Sequence, residues 1–277
     1  MLFHTENFTT VTEGQCVATV IADSIQNESR ITTLELVYPR YIHSELMTHR
    51  AFSRNASSSR ATPLDVLINE CLNDPVFFDY VGTNQSGMVA GEELSGYELR
   101  DFKRDWYKLA KTVANTVKYM SERYNVHKQT LNRALEPFSR IRTLVTATDF
   151  DNFFELRLAP DAQPEMQSLA KAMKQAMKYS NPAERMFHAP YTDDVGMRDD
   201  NELCKISVAR CARVSYARLD GKPNDIAADI KLFKRLFNSG HMSPFEHVAY
   251  YRGDGYYANF KDWQSLRNID IDLFDAL

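Results

Sequence analysis

Cysteine is scarce in this chain, and its cysteines form no recognisable motif. The 277 residues include four of them, Cys16, Cys71, Cys204 and Cys211, and no two lie in a Cys-x-x-Cys pair. A structural zinc site or a small disulfide scaffold needs cysteines at short, regular spacings. The sequence therefore predicts no metal centre and no disulfide framework, and a reducing cytoplasm is the expected compartment.

Long apolar runs and an excess of basic residues are also absent. No stretch approaches the roughly 20 apolar residues that span a bilayer, and the opening residues, MLFHTENF, lack the cationic start and apolar core of a secretory signal. Lysine and arginine number 33 against 37 acidic residues, whereas a general nucleic-acid-binding protein is basic. We therefore expect no membrane segment, and nucleic acid is a disfavoured partner.

Carboxylates are missing from the stretch that runs from Leu46 to Pro63. It contains six hydroxyl side chains and four basic ones, His49, Arg50, Arg54 and Arg60. Arginine presents a planar fork that matches phosphate, and serine and threonine add short neutral donors. The pattern predicts a site for the phosphate of a nucleotide or of a phosphorylated cofactor. The alternative is a cationic helix end followed by a solvated, serine-rich loop.

The periodicity of the sequence favours an α+β protein with more helix than strand. Alternation and β-branched residues predict strands at 16–25 and 30–38. Apolar residues at helical spacing predict helices at 41–52, 95–136 with a break near Asn125, 165–179 and 225–239. A strand and turn are predicted at 205–216, a loop at 79–91, and a short strand at 247–252 before a glycine- and aromatic-rich tail. No repeat or linker is visible, so residues 1–277 are predicted to form a single domain.

Four separated segments combine arginine, histidine and carboxylate side chains in distinctive orders. They are Thr48-His49-Arg50 followed, after seven residues, by Ser58 and then Arg60; Arg133-Ala-Leu-Glu-Pro137; Asn152-Phe-Phe-Glu-Leu-Arg157 with Asp161-Ala-Gln163; and Ala212-Arg-Val-Ser-Tyr216 with His241-Met-Ser-Pro-Phe-Glu246-His247.

This set resembles the flavin-dependent thymidylate synthase family, whose signature is Arg-His-Arg, seven residues and Ser. Thr48 replaces the first arginine of that signature, and Ala56 stands where many members carry glutamate. The motifs 212–216 and 243–247 follow the signature here, whereas they precede it in the standard family. The chain therefore looks like a circularly permuted relative of a phage-type branch, which would act in the host cytoplasm. The implied fold is a small, mostly antiparallel sheet packed by long helices.

The resemblance implies two sets of binding residues and no metal. The flavin would contact His49, Arg50, Asn152, Ser243 and Glu246, and two further flavin positions appear here as Thr146 and Thr148. The pyrimidine nucleotide would contact Ser58, Arg60, Arg133 and Arg157, with Ser58 and Arg60 reaching a neighbouring subunit. The implied catalytic residues are Arg157, near the pyrimidine, and His241, beside the isoalloxazine and folate.

The resemblance also implies a reaction and an assembly. They are the C5 methylation of dUMP to dTMP with FAD, NADPH and 5,10-methylenetetrahydrofolate, in a homotetramer with sites shared between subunits. Three alternatives stay open at this stage. The first is an enzyme of the same fold that transfers a hydroxymethyl group. The second is a catalytically inactive relative that binds flavin or nucleotide without turnover. The third is a protein that binds nucleic acid through an exposed cationic face.

Overall fold

A six-stranded sheet occupies the centre of the computed structural model, which describes residues 8–215 and 225–269. Its strands are β1 (Thr10–Glu13), β2 (Cys16–Gln26), β3 (Ser29–Pro39), β4 (Ser53–Ala56), β5 (Arg140–Ala147) and β6 (Ala183–Glu184). The spatial order is β1-β2-β3-β5-β4, with all these neighbours antiparallel, while β6 pairs in parallel with the end of β2. A second, antiparallel sheet contains β7 (Phe187–His188), β8 (Ala249–Tyr257) and β9 (Phe260–Ser265).

Eight α-helices of the described residues surround these sheets. They are α1 (His43–Leu46), α2 (Leu64–Asn73), α3 (Gly96–Tyr124), α4 (Lys128–Leu135), α5 (Asp151–Arg157), α6 (Pro164–Tyr179), α7 (Asp200–Arg213) and α8 (Ile226–Asn238). Short 3-10 turns cover Arg40–Ile42, Glu136–Phe138, Ser243–His247 and Leu266–Asn268. The predicted α+β class, with a small and mostly antiparallel sheet, is confirmed.

Apolar side chains divide the packing into three main clusters. On α6, Leu169 and Met173 are fully buried against the central sheet, where they meet Ala18 and Leu36. Helices α2, α3 and α4 pack on one another through a second cluster, and α7 and α8 cover the smaller sheet through a third. Most of these helices, such as α3 and α6, therefore bury one apolar stripe, the pattern that period-3.6 sequences produce.

Several predicted elements are confirmed where the local signals agree. Strands β2 and β3, helices α6 and α8, and the loop at 79–91 lie where the periodicity placed them. The predicted break near Asn125 is also present, because Asn125 adopts the left-handed conformation with φ 50° and ends α3. Asparagine tolerates that conformation better than most residues, so it terminates a helix readily.

The predicted helix at 41–52 is wrong beyond its first residues. α1 contains only four residues, and the chain then turns into β4. The Thr48 hydroxyl donates to the Glu45 carbonyl at 2.7 Å, and Arg54 Nη1 donates to the carbonyls of Met47 and His49 at 2.7 and 3.0 Å. These side chains satisfy the carbonyls that the next helical turn would have used.

The predicted strand within 205–216 is also wrong, because residues 205–213 belong to α7, whereas a turn does follow at Val214 and Ser215. Asp199 caps this helix by accepting from the Glu202 amide at 2.7 Å. Residues Ile206 and Val208 suggested a strand, but burial on all sides of the helix removes the polar face that would have revealed its period. Tyr216 lies outside the described residues. The predicted tail after 252 is a hairpin instead, since β8 continues to Tyr257 and β9 follows.

In the part of the chain that the structure describes, no helix combines the length and apolar character needed to cross a membrane.

Candidate functional site

Arg157 and His49, which are far apart in sequence, are in direct contact. Arg157 is the last residue of α5, and His49 lies in the turn before β4. Arg157 Nε donates to His49 Nε2 at 2.9 Å, Nη1 reaches Glu45 Oε2 at 3.3 Å, and Nη2 reaches Thr48 Oγ1 at 3.5 Å. The guanidinium is therefore held against the Glu45–His49 segment on three of its nitrogens.

His49 is a neutral imidazole in this arrangement. It is buried, with its ring edge-on to Phe153 at a centroid distance of 4.8 Å. Burial lowers its pKa, and the positive charges of Arg157 and Arg54 lower it further. Because Arg157 donates to Nε2, that nitrogen accepts and the proton lies on Nδ1.

A cavity of about 970 Å³ lies beside Arg157 and Glu45. Asp161 and Gln163, which belong to the same sequence motif as Arg157, also line it. The opposite wall is formed by residues 78–80 and 88–90 of the loop before α3, where Gly82 and Glu93 form an isolated bridge. The motif that ends α5 therefore meets open space large enough for a small organic ligand.

The serine-rich part of the signature is held by α4. Asn132 Nδ2 donates to the carbonyls of Ser59 and Thr62 at 2.6 and 3.0 Å, and Lys128 Nζ donates to the Ala61 carbonyl at 2.8 Å. Ser58 is half-buried and Arg60 is exposed. Arg133, which follows Asn132 in α4, is exposed and forms an ion pair with Glu136 at 2.8 Å. The structure thus brings the segments of three predicted nucleotide residues, Ser58, Arg60 and Arg133, side by side.

The C-terminal motifs pack against β4 and β5. Ser215 Oγ donates to Asn55 Oδ1 at 2.8 Å, and Asn55 Nδ2 donates to the Cys211 carbonyl at 2.9 Å. In the 3-10 turn at 243–247, the imidazole of His247 bonds Thr146 through Nδ1 at 2.8 Å. Both late motifs therefore adjoin the strand that leads into the signature loop.

The remaining predicted flavin residues lie in several environments. Glu246 is half-buried and forms an ion pair with Arg267, Ser243 is half-buried, and His241 is exposed. Asn152 is exposed near the start of α5, and Arg50 is exposed beside His49.

Thr146 belongs to a buried chain of hydroxyl and imidazole groups. Its Oγ1 lies 2.6 Å from Thr33 Oγ1 as well as 2.8 Å from His247. Thr33 then contacts His188 Nε2 at 2.8 Å, and His188 Nδ1 contacts Ser24 at 2.9 Å. Burial lowers the pKa of both histidines to about 3. These hydrogen bonds link β2, β3 and β5 to the second sheet, and they use the hydroxyl group of Thr146.

Nothing in the sequence indicated the role of Glu45 or the backbone contacts of Arg54. Glu45 precedes His49 by four residues, a spacing that suggests a shared helix face, but the helix ends before His49. Arg54 belongs to the cation-rich stretch, and its Nη1 donates to two backbone carbonyls of the preceding turn. Arg213, in the motif at 212–216, forms a salt bridge with Asp229 at 2.6 Å.

All four cysteines are buried and unpaired. Burial raises the pKa of Cys71 and Cys204 to about 12 and raises that of Cys16 and Cys211 as well. A thiol with a raised pKa is a poor nucleophile at neutral pH, so the structure offers no activated cysteine.

Comparison with known proteins gives a family match and weak structural likenesses. The model of the family described as thymidylate synthase complementing protein matches residues 24–183. Similar solved structures include thymidylate synthase X (ThyX) from Helicobacter pylori with FAD and dUMP, at 19% identity and a TM-score of 0.34 over 53% of this chain and 67% of that one. The UMP/dUMP methylase PolB from Streptomyces cacaoi with 5-Br UMP is 12% identical, with a TM-score of 0.47 over 61% of this chain and 91% of that one. Likenesses at this level carry no functional argument, and no curated protein matches the sequence significantly.

Proposed function

Because the chain belongs to the flavin-dependent thymidylate synthase family, we propose that it methylates a pyrimidine deoxynucleotide at C5. The proposed reaction converts dUMP to dTMP with FAD, NADPH and 5,10-methylenetetrahydrofolate. The observation that carries the proposal is the Arg157–His49 contact at the wall of the 970 Å³ cavity. This contact brings together two family motifs that the reaction requires, although 107 residues separate His49 from Arg157 in the sequence.

Arg157 is suited to bind and polarise a pyrimidine carbonyl. A guanidinium has five N–H donors, and three contacts to Glu45, Thr48 and His49 leave two for a ligand. Those contacts also fix the orientation of the guanidinium before a ligand arrives. A positive group held beside the uracil carbonyl stabilises negative charge on the ring as C5 becomes nucleophilic. Neutral His49 serves as a positioning residue, because it accepts from Arg157 Nε without adding a competing charge.

The residues fit FAD at its phosphates but not at every position of the family pattern. Arg50 and Arg60 are exposed and have no ion-pair partner among residues 8–215 and 225–269. Unpaired guanidinium groups suit the diphosphate of FAD and the monophosphate of the nucleotide. Thr146 does not fit, since both Thr33 and His247 already use its hydroxyl. When bound, the reduced flavin supplies the reducing equivalents, and we assign its binding to His49, Arg50, Asn152, Ser243 and Glu246.

The motif order supports a circular permutation within one domain, as we propose for residues 1–277. The family match ends at residue 183, and the motifs at 212–216 and 243–247 come later in the chain. They nevertheless contact β4 and β5 through Asn55 and Thr146. A permutation preserves such a packed core when the joined ends lie close together on the surface.

We also propose a homotetramer in which subunits share sites. Arg60 is exposed on the signature loop, and Arg133 is exposed on the adjoining helix. Neither lines the cavity beside Arg157. Their exposure supports the proposal that they bind a nucleotide held by a neighbouring subunit.

Anaerobic reduction tests whether the protein is a working flavoenzyme. The protein is loaded with FAD, freed of excess cofactor and mixed with NADPH while absorbance near 450 nm is followed. We expect bleaching that requires both the protein and NADPH. If NADPH does not reduce the bound flavin, the result would favour the alternative that the protein binds its ligands but is catalytically inactive. A protein that retains no flavin would contradict the proposal.

A further inference from the structure

A second cavity, of about 540 Å³, lies between the end of β3, the signature loop and α2. Its polar lining comprises three arginines, three hydroxyl residues and one carboxylate: Arg40, Arg140, Arg142, Ser57, Thr62, Ser215 and Glu70. Pro63 and Leu67 supply an apolar wall. A lining that contains both cations and apolar side chains suits a phosphorylated organic molecule better than a simple ion.

Two of the three arginines have carboxylate partners, and Arg40 does not. Arg140 Nη1 lies 3.4 Å from Glu70 and 3.0 Å from Asp74, and Arg142 lies 3.4 Å from Glu35. Among the described residues, Arg40 makes no ion pair. Its Nη2 reaches the Arg140 carbonyl at 3.5 Å, and its Nε is buried with no hydrogen-bond partner.

Nearby carboxylates stabilise the charge of Arg40 only at a distance, because Glu136 and Glu70 raise its pKa but each makes its hydrogen bonds with another arginine. Glu70 accepts from the Arg140 backbone amide at 2.8 Å as well as from its guanidinium, and Glu136 pairs with Arg133 at 2.8 Å. Burial lowers the pKa of Arg40, which is the expected effect of removing a charge from water. A partly desolvated guanidinium with an unused N–H is unfavourable unless an anion compensates it.

A hydroxyl group of the signature segment lines the same cavity as the unpaired guanidinium. Ser57 Oγ accepts from the Arg142 amide at 3.1 Å, which leaves its O–H available to donate. Ser57 lies one residue before Ser58 of the signature, so the cavity opens on the inner side of the same loop. Guanidinium and hydroxyl donors together are a common way to bind phosphate oxygens.

We infer that Arg40 and Ser57 form a phosphate-binding site that the family signature does not contain. The ligand is a phosphate-bearing molecule. The inference depends on the proposed function only for the two molecules that could carry this phosphate. These are the pyrimidine nucleotide, with its monophosphate, and FAD, with its diphosphate. The apolar wall of Pro63 and Leu67 then receives the organic part of the same ligand.

Binding measurements with Arg40→Gln test the site and identify the phosphate. The protein is titrated separately with dUMP, FAD and deoxyuridine, which lacks phosphate, and Arg100→Gln on the exposed face of α3 is the matched control. We expect about a 10- to 100-fold loss of affinity for one of the two phosphorylated ligands, the range for a charge-assisted hydrogen bond. Deoxyuridine affinity should not change, and Arg40→Lys should restore part of the loss.

A thermal melt distinguishes a binding role from a structural one. Without ligand, Arg40→Gln should be at least as stable as the unaltered protein, because it removes an uncompensated charge. With saturating ligand, the unaltered protein should gain more stability than the variant. A lower melting temperature without ligand, together with equal losses for deoxyuridine and dUMP, would assign Arg40 to the fold and overturn the inference.

Failure of the site and failure of the proposed function give different results. Unchanged affinities for both dUMP and FAD in Arg40→Gln would overturn the phosphate site even if the protein makes dTMP. A selective loss of dUMP or FAD affinity in a protein that makes no dTMP would support the site and contradict the reaction.

Discussion

Arg157 is the single residue on which the proposed nucleotide site depends most. Its side chain is about one-fifth exposed, so it is firmly held yet open to a ligand. Substitution by alanine removes a guanidinium whose remaining N–H groups face the proposed pyrimidine. We expect Arg157→Ala to weaken dUMP binding by about 10- to 100-fold without loss of folded structure, measured by titration calorimetry and circular dichroism.

Arg60 should show the same direction of effect for a different reason. It is exposed and unpaired in the described part of the chain, and its proposed partner is the nucleotide phosphate. Arg60→Ala should weaken dUMP binding and reduce its salt dependence, because a phosphate contact is electrostatic. Arg100→Ala is the control. If neither Arg157→Ala nor Arg60→Ala alters dUMP affinity, the nucleotide pocket is misassigned.

At the scale of elements, a buried ion cluster joins α7 to α8. Asp229 is fully buried and pairs with Arg210 at 3.1 Å and with Arg213 at 2.6 Å. Asp229→Ala would leave two buried guanidinium groups without this partner, which typically costs about 3–5 kcal/mol. Urea unfolding should show this loss, whereas Asp194→Ala, at an exposed partner of Arg210, should cost less than about 1 kcal/mol. Equal losses would show that the buried cluster is not what couples the helices.

The β2–β3 hairpin contains a turn that its sequence does not favour. Asn27 and Glu28 both have positive φ, 45° and 65°, between the paired residues Gln26 and Ser29. Such two-residue turns prefer Asn-Gly. Glu28→Gly should therefore raise the free energy of unfolding by up to about 1 kcal/mol, while Glu28→Ala should leave it nearly unchanged. A destabilised Glu28→Gly variant would contradict the turn geometry.

At the scale of the whole molecule, buried histidines make stability depend on pH. His188 and His247 have folded-state pKa values of about 3 because of burial, whereas an unfolded histidine titrates near 6.5. Below pH 6.5 the unfolded chain binds protons that the folded chain does not, so stability falls as the pH falls. Each histidine should remove about 2 kcal/mol between pH 7 and pH 5.

Urea unfolding across that pH range checks this expectation. His188→Gln should remove about half of the pH-dependent change in unfolding free energy that the two histidines cause. This expectation holds whether or not the substitution alters stability at pH 7. His127→Gln, at an exposed helix cap, should leave the pH dependence unchanged. A His188→Gln variant with the same dependence as the unaltered protein would show that folding does not lower the pKa of His188.

The sequence predicted the helices and strands that have a clear hydrophobic period. It did not predict the elements in which burial hides that period or side chains end a helix early. Strands β2 and β3 and helices α6 and α8 had an alternating or 3.6-residue pattern. The helix at 200–213 was missed because its second half, residues 206–213, is buried on all sides. The predicted helix at 41–52 is too long because Thr48 binds a carbonyl of α1 and Arg54 binds carbonyls of the residues that follow α1. Family resemblance named His49 and Arg157, but no local pattern could show that they touch or that Arg40 remains unpaired.

The most direct measurement of the central claim is the mass of the product. The protein is incubated with FAD, NADPH, carbon-labelled 5,10-methylenetetrahydrofolate and a mixture of dUMP and dCMP, with Arg157→Ala in parallel. We predict labelled dTMP from the unaltered protein and far less from the variant. Labelled hydroxymethyl nucleotide would keep the fold and cofactors but contradict methylation, and no labelled nucleotide from flavin-loaded protein would contradict the proposed reaction altogether.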